Sequence, residues 1–410
     1  MAGTDYTQDN DTRMLSRDAL ILHQMHKGKL EIHSKVPLQT RHDLSLAYTP
    51  GVAAVCREIA EDTDRVWQYT LKSNTVGIIT DGTAVLGLGN IGPYAAIPVM
   101  EGKAILFKEF AGIDAFPICL DTTHGDIIRH IRSLAPVFGG INLEDIAAPY
   151  CFEIEEELQD LGIPVMHDDQ HGAAIAVLAA LMNACKVTKK QMAHLSIVIS
   201  GAGAAGYAIT RLLRCIGYDS PVCHPVQDVI VCDSQGIIYK DRPGLYHTKY
   251  KYIIGEETNK KSRTGSLADA MIGADVFIGV STAGIVTEDM VRSMNPDPIV
   301  FALANPIPEI MPESAIAAGA AIVGTGRSDF TNQINNALVF PGIFQGALRA
   351  CATVINDKMK LSAAYALANY IATPDSDNIL PNVLDHEVTR TIADAVFKAA
   401  VASGVARKHT

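Results

Sequence analysis

Two adjacent carboxylate pairs are the first residues in this chain that could do chemistry. Glu144-Asp145 follows Gly139-Gly-Ile-Asn-Leu143, and Asp168-Asp169 follows the β-like run Gly162–Met166. Neighbouring carboxylates raise one another's pKa unless a cation or base stands between them, so two such pairs at strand ends point to a metal centre. Ligands made of oxygen alone favour Mg²⁺ or Mn²⁺ over zinc. The alternative is that each pair caps the helix behind it. His167-Asp-Asp-Gln-His171 also approximates the H-E-x-x-H zinc pattern. That pattern needs both histidines on a formed helix, whereas here a strand precedes and Gly172 follows at once. Lys103 lies in an apolar, helix-like stretch, where burial would depress its pKa and make it a proton acceptor. It reads equally as a surface lysine whose stem covers apolar area.

A second constellation handles phosphate. Leu195–Ser200 is an apolar, β-rich run that enters Gly201-Ala202-Gly203-Ala204-Ala205-Gly206. In this fingerprint Gly201 permits the tight turn, Gly203 admits a pyrophosphate, and Gly206 lets the helix expected at Tyr207–Ile216 pack against the strand. The opening helix offers free N–H groups to the anion. A further strand, Asp228–Cys232, ends in Asp233, placed to accept hydrogen bonds from an adenosine ribose. The interval of 27 residues from Gly206 is explained by a Pro-containing loop at Tyr218–Gln227. Gly87, Gly89 and Gly92 repeat the glycine spacing, but with no clear strand before them they read as a close-packed substrate loop.

The elements that must position these residues follow from pattern. The chain has 410 residues, enough for two to three domains, and 19% are charged. A net charge of −11 without a long Lys/Arg run argues against nucleic acid or an anionic membrane as principal partner. Eight cysteines without a C-x-x-C pair read as reduced core residues rather than a zinc ribbon or disulfide framework. Acidic residues near the N-terminus speak against a signal peptide, and the apolar run Gly172–Met182 is too short to span a bilayer, so a soluble cytoplasmic protein is expected. A helix is expected around Ser16–Lys27. Short strands at Thr75–Ile79 and Ala115–Leu120 interleave with helices at Tyr94–Phe110 and Ile127–Leu134. The helix Ala173–Cys185 bridges two domains. Beyond it, strands near 195–200, 228–232, 275–280, 298–304 and 320–324 alternate with helices, as in a parallel doubly wound sheet. The expected architecture is therefore α/β: an N-terminal α/β substrate domain at 1–165, a Rossmann-type nucleotide-binding domain at 166–345, and a C-terminal helical segment at 346–410 that packs back.

From about Ala19 to Gly346 the chain resembles the malic enzymes in their short prokaryotic form. The resemblance rests on Gly28-Lys-Leu-Glu-Ile32, Lys35-Val-Pro-Leu38, Asp43-Leu-Ser-Leu-Ala-Tyr-Thr-Pro-Gly-Val52, Asp81–Gly92, Ile141-Asn-Leu-Glu-Asp-Ile146, His167–Gly172, Leu303-Ala-Asn-Pro306 and Asn335-Asn336. It implies oxidative decarboxylation of (S)-malate to pyruvate and CO₂, with NAD, or alternatively NADP, and Mg²⁺ or Mn²⁺. Non-oxidative decarboxylation of oxaloacetate at the same metal is the alternative activity. By the same resemblance Tyr48 is the general acid, Lys103 the general base with Asp168 tuning it, and Glu144, Asp145 and Asp169 the metal ligands. Asn305 and Asn335 or Asn336 contact substrate or nicotinamide, and the protein is a homodimer or larger. Asp233 would repel a 2′-phosphate and so favours NAD, although Lys240 and Arg242 stand near it in sequence. Larger members carry an arginine where this chain has Ala84. That leaves the partner of the substrate carboxylate open, with Ser73 and Asn74 as candidates.

Overall fold

Residues 10–85, 87–122, 124–218 and 222–407 are described by a computed structural model. The chain opens with helices Asn10–His26 (α1), Arg41–Ala47 (α2), Val52–Glu61 (α3) and Val66–Tyr69 (α4). Strand Thr75–Thr80 (β1) leads through a glycine-rich loop into helix Gly92–Ala111 (α5), then strand Asp114–Cys119 (β2) and helix His124–Leu134 (α6). Strand Gly140–Leu143 (β3), helix Tyr150–Glu157 (α7) and strand Val165–His167 (β4) complete the first sheet. Its order is β2-β1-β3-β4, parallel throughout. Every residue of β1 and β3 is buried, which is why these strands do not alternate apolar with exposed polar positions; Thr75, Thr80 and Asn142 are their buried polar members. In-register parallel pairing sets the carboxyl ends of β1, β3 and β4 side by side, and Asp81, Glu144 and Asp168 each follow one of them directly.

Helix Asp168–Thr188 (α8) joins this sheet to the second. It is long and apolar enough to cross a membrane, but 72% of its apolar window is buried inside the protein, where it forms the central core helix. Gly172 does not interrupt it, contrary to the sequence reading: buried neighbours compensate for glycine's weak helix propensity.

The second sheet contains strands Ser196–Ser200 (β5), Asp228–Asp233 (β6), Gly236–Ile237 (β7), Val276–Gly279 (β8), Ile299–Ala302 (β9) and Ile322–Thr325 (β10). Its order is β10-β9-β8-β5-β6-β7. Helices Ala204–Arg214 (α9), Lys249–Glu257 (α10), Leu267–Met271 (α11), Glu288–Arg292 (α12) and Pro312–Ala317 (α13) lie between the strands. All pairs are parallel except β6–β7, a tight antiparallel hairpin that the sequence reading missed. The strand order reverses between β5 and β8, the point at which doubly wound sheets bind ligands.

Helices Phe340–Arg349 (α14), Asp357–Tyr370 (α15) and His386–Ala402 (α16) pack against one another, with α15 on α8 and both α14 and α16 on α5. The hinge of this packing is Phe107 of α5, fully buried with ring centroids 4.7 Å from Phe340 and 5.4 Å from Phe344.

One expectation about cysteine is corrected. Cys215 and Cys223 form a disulfide, with Cα atoms 5.9 Å apart, because the left-handed turn at Cys215 that ends α9 folds the following loop back. Residues 219–221 of the loop expected at 218–227 lie outside the described residues. Cys151, Cys185 and Cys232 are buried thiols, as read from sequence.

Phe107→Ala is expected to cost about 3–5 kcal/mol through the cavity left between α5 and α14. Equilibrium denaturant unfolding of the variant beside the parent measures it.

Candidate active site

The carboxyl ends of β1, β3 and β4 enclose a buried cluster of charge. Lys103 projects from α5, and its Nζ donates to Glu144 Oε1 at 2.7 Å and to an oxygen of Asp168. The ammonium also lies 4.2 Å from the centroid of the Phe340 ring. Asn336 Nδ2 donates to Asp168 Oδ2 at 2.7 Å, and Asn142 Nδ2 to Glu144 Oε2 at 2.8 Å. Asp169 Oδ2 accepts the backbone N–H of Asp145 at 2.8 Å. Glu144, Asp145 and Asp169 each present an oxygen within 4.8 Å of the other two, the one such group of potential metal ligands among the described residues. Three convergent, mostly buried carboxylates fit a hard divalent cation. His167 and His171 share no such point. His171 pairs instead with Glu155 at 3.0 Å, so the zinc pattern is accidental.

Burial shapes the protonation of this group. It opposes charge on Lys103, but Asp168, then Glu144 and Asp169, outweigh it and hold the ammonium above its ordinary pKa. Burial likewise pushes Asp168, Glu144 and Asp169 up from the usual carboxylate range. The depressed Lys103 pKa expected from its apolar surroundings is therefore corrected: its neighbours in space are anions, not the apolar residues beside it in sequence.

The loop 81–91 is stitched to this group. Asp81 Oδ1 accepts from the Thr83 N–H and hydroxyl at 3.0 and 2.6 Å, Thr83 Oγ1 accepts from Ala147 N at 2.9 Å, and Ala84 N donates to Asp145 O at 2.9 Å. The loop does lie between a strand and a helix, but over a span far longer than a phosphate turn. At Gly87, with φ +73°, a Cβ would stand 2.7 Å from Asn305 O, so the loop packs against the Asn305-Pro306 segment beyond β9.

Beside this cluster, a groove of about 580 Å³ opens at the reversal of the second sheet. Gly201, Ala202, Gly203, Asp233, Ser234, Lys251, Ser281 and Thr282 line it. The three glycines have separable duties. A Cβ on Gly201 would meet Val280 O at 2.4 Å, and one on Gly206 would meet Gly201 O at 1.9 Å, whereas at Gly203 nothing lies within 4 Å, leaving room for a ligand. Asp233 is saturated: Oδ1 accepts from Gln235 N and Arg242, and Oδ2 from Arg242 at 2.6 Å and Lys251 Nζ at 2.8 Å. Partial burial acts to raise its pKa, but these partners hold it well below the carboxylate range. Lys240 takes no part, pairing with Glu256 at 3.2 Å. Lys251 escaped the sequence reading because it stands 18 residues from Asp233.

The remaining expected residues are placed as follows. Asn336 joins the cluster through Asp168, whereas Asn335 Oδ1 accepts the N–H of Ala337 and serves as a cap. Asn305 Nδ2 donates to Leu303 O at 3.3 Å. Tyr48 is 68% exposed, and among the described residues no hydrogen bond joins its side chain to the cluster. Ser73 and Asn74 lie ahead of β1, at the opposite end of the strand from the carboxylates, bonded to Thr70 O and Gly112 O. They are therefore not placed to hold a substrate carboxylate.

Fold and site together define a dinucleotide-binding α/β protein with a lysine and a metal-type carboxylate group beside the cofactor groove. Family models named "Malic enzyme, N-terminal domain" and "Malic enzyme, NAD binding domain" match residues 27–127 and 170–401. The chain is 54% identical to a bifunctional malic/malolactic enzyme of Bacillus subtilis, covering 96% of this chain and 95% of that one. It is 53% identical to an NAD-dependent malic enzyme of Geobacillus stearothermophilus, over 93% and 78% of the two chains. The crystal structure of an NAD-dependent malic enzyme from Thermotoga maritima superposes with a TM-score of 0.88 at 47% identity, covering 93% of this chain and 99% of that one. The chain belongs to the malic enzyme family.

Gly172 lies where a Cβ would come within 1.9 Å of Asp168 Oδ1. Gly172→Ala is expected to displace that carboxylate and lower kcat by about a hundredfold, while NADH binding, followed by fluorescence titration, stays unchanged.

Proposed function

We propose that the protein oxidatively decarboxylates (S)-malate to pyruvate and CO₂ with reduction of a nicotinamide cofactor. The observation that carries this reading is Lys103, buried between Glu144 and Asp168, in a chain whose nucleotide groove is walled in part by Ala148 and Pro149, just beyond Asp145. Lys103 accepts the proton of the malate C2 hydroxyl as hydride leaves C2 for the nicotinamide, so malate loses two electrons and becomes a β-keto acid. Glu144, Asp145 and Asp169 would hold Mg²⁺ or Mn²⁺, which supplies Lewis-acid polarisation of the C2 oxygen and offsets the negative charge that keeps Lys103 protonated. The C4 carboxylate then departs as CO₂, and its bonding electrons form enolpyruvate. Tyr48 protonates C3 to give pyruvate. Asp168 and Asn336 orient the lysine. Non-oxidative oxaloacetate decarboxylation is the lesser reading, because the intact turn Gly201–Gly206 would then serve no purpose.

Tyr48 completes the site from a second copy of the chain in a homodimer or larger assembly. Helices α2 and α3, which flank it, bury no residue, and Leu15, Met25, Leu38 and Leu46 are exposed along the same segment. An apolar surface of this kind is covered by a partner. The burial of α8 makes it a core helix rather than a membrane span.

NAD is the proposed cofactor, with NADP accepted less well. Asp233 opposes a 2′-phosphate, while Arg242 and Lys251 together outnumber its charge. Lys251→Ala is expected to lower kcat/KM with NADP about tenfold more than with NAD. Higher efficiency of the parent with NADP would overturn the preference.

The activity is tested with (S)-malate, Mn²⁺ and either cofactor, following reduced nicotinamide and pyruvate together. Equal yields of both, abolished in Lys103→Ala, are expected. Lactate without net cofactor reduction, or oxaloacetate without pyruvate, would refute the assignment. Co-expressing Lys103→Ala with Tyr48→Phe tests the shared site. Random pairing restores about a quarter of parental activity if Tyr48 acts across the dimer, and none if it acts within its own chain.

A further inference from the structure

We infer that Glu155, on α7, is the positioning residue for Asp169, the metal-binding carboxylate at the start of α8, clamping the turn that carries it together with Asp168. The inference rests on Glu144, Asp145 and Asp169 forming a metal site. Glu155 Oε1 accepts the backbone N–H of His167 at 3.0 Å. Its Oε2 accepts from Gln170 Nε2 at 3.1 Å and from His171 Nε2 at 3.0 Å. Three donors from one five-residue segment thus converge on one buried carboxylate.

The geometry of the helix start explains what this clamp does. Glu155 holds the residue before α8 by the His167 backbone N–H and the first turn of α8 by the side chains of Gln170 and His171, so both ends of the turn that carries Asp168 and Asp169 are tied to one group, while the His167 ring itself lies 3.7 Å from Asp169. Fixing these ends therefore sets where Asp168 meets Lys103 and where Asp169 meets the Asp145 N–H. Glu155 also takes up the His167 N–H, one of the donors that a helix start leaves without an intrahelical acceptor. Burial acts to raise the Glu155 pKa, but His171, Lys360 and His167 hold it down to about 2, so the clamp is anionic at neutral pH. Lys360, from α15, approaches His171 Nε2 to 3.3 Å and lies behind the clamp, away from the carboxylates it positions.

A packing residue and a positioning residue differ in what their loss changes. Glu155→Gln turns an amide donor towards groups that are themselves donors, so the turn must shift. The test measures Mn²⁺ binding to the purified full-length protein by electron paramagnetic resonance, NADH binding by fluorescence, and thermal midpoint. Glu155→Gln is expected to weaken Mn²⁺ about 10–100-fold, with NADH affinity unchanged. Asn183→Ala, further along α8 where its amide donates to Ala368 O and Ile379 O, is expected to lower the thermal midpoint while leaving Mn²⁺ affinity at the parental value. His171→Asn, which removes one of the three donors, is expected to weaken Mn²⁺ severalfold and carries the test if Glu155→Gln does not fold. Parental Mn²⁺ affinity in both Glu155→Gln and His171→Asn, or equal losses in Asn183→Ala, would overturn the inference. No Mn²⁺ binding by the parent would instead overturn the metal reading itself.

Discussion

The site depends on one ammonium group placed where water hardly reaches. Lys103 is 7% exposed, and a buried charge of that kind is tolerable only beside opposite charge. Its partners come from elsewhere: Glu144 follows β3 and Asp168 opens α8. The ion pairs therefore tie a helix on the face of the first sheet to two strand ends within it. The Phe340 ring beneath the ammonium extends the same constraint to α14, so the C-terminal helices help to close the lysine from solvent.

What the sequence made legible was local. The turn at Gly201–Gly206 shows in the sequence because its glycine spacing lies within six residues, although the carbonyl that excludes a side chain at Gly201 belongs to Val280. The strand-end carboxylates show because apolar runs end abruptly in pairs of acids. The parallel architecture likewise follows from alternating strand and helix patterns.

What was hidden was distant. The protonation of Lys103 was misread because its neighbours along α5 are apolar while its neighbours in space are anions 41 and 65 residues away. Asn336 reaches Asp168 across 168 residues, and nothing at the dipeptide Asn335-Asn336 says which member turns inward. Lys251 is the second cation on Asp233 only because the hairpin β6–β7 and the start of α10 fold back over the strand end. Glu155 drew no notice in the sequence, and the packing of α7 beside β4 reveals it as an interior anchor.

The contacts around the nucleotide turn have a consequence for how a cofactor meets it. At Gly201 and Gly206 the space for a side chain is taken by backbone carbonyls of the protein itself, not reserved for a ligand. Only at Gly203 is the space left open. Two of the three glycines are thus required by the protein's own backbone, and one by what the groove must receive. A side chain at Gly201 or Gly206 would therefore disturb the fold itself, whereas one at Gly203 would obstruct only the ligand, so the same motif separates variants that fail to fold from variants that fold and fail to bind.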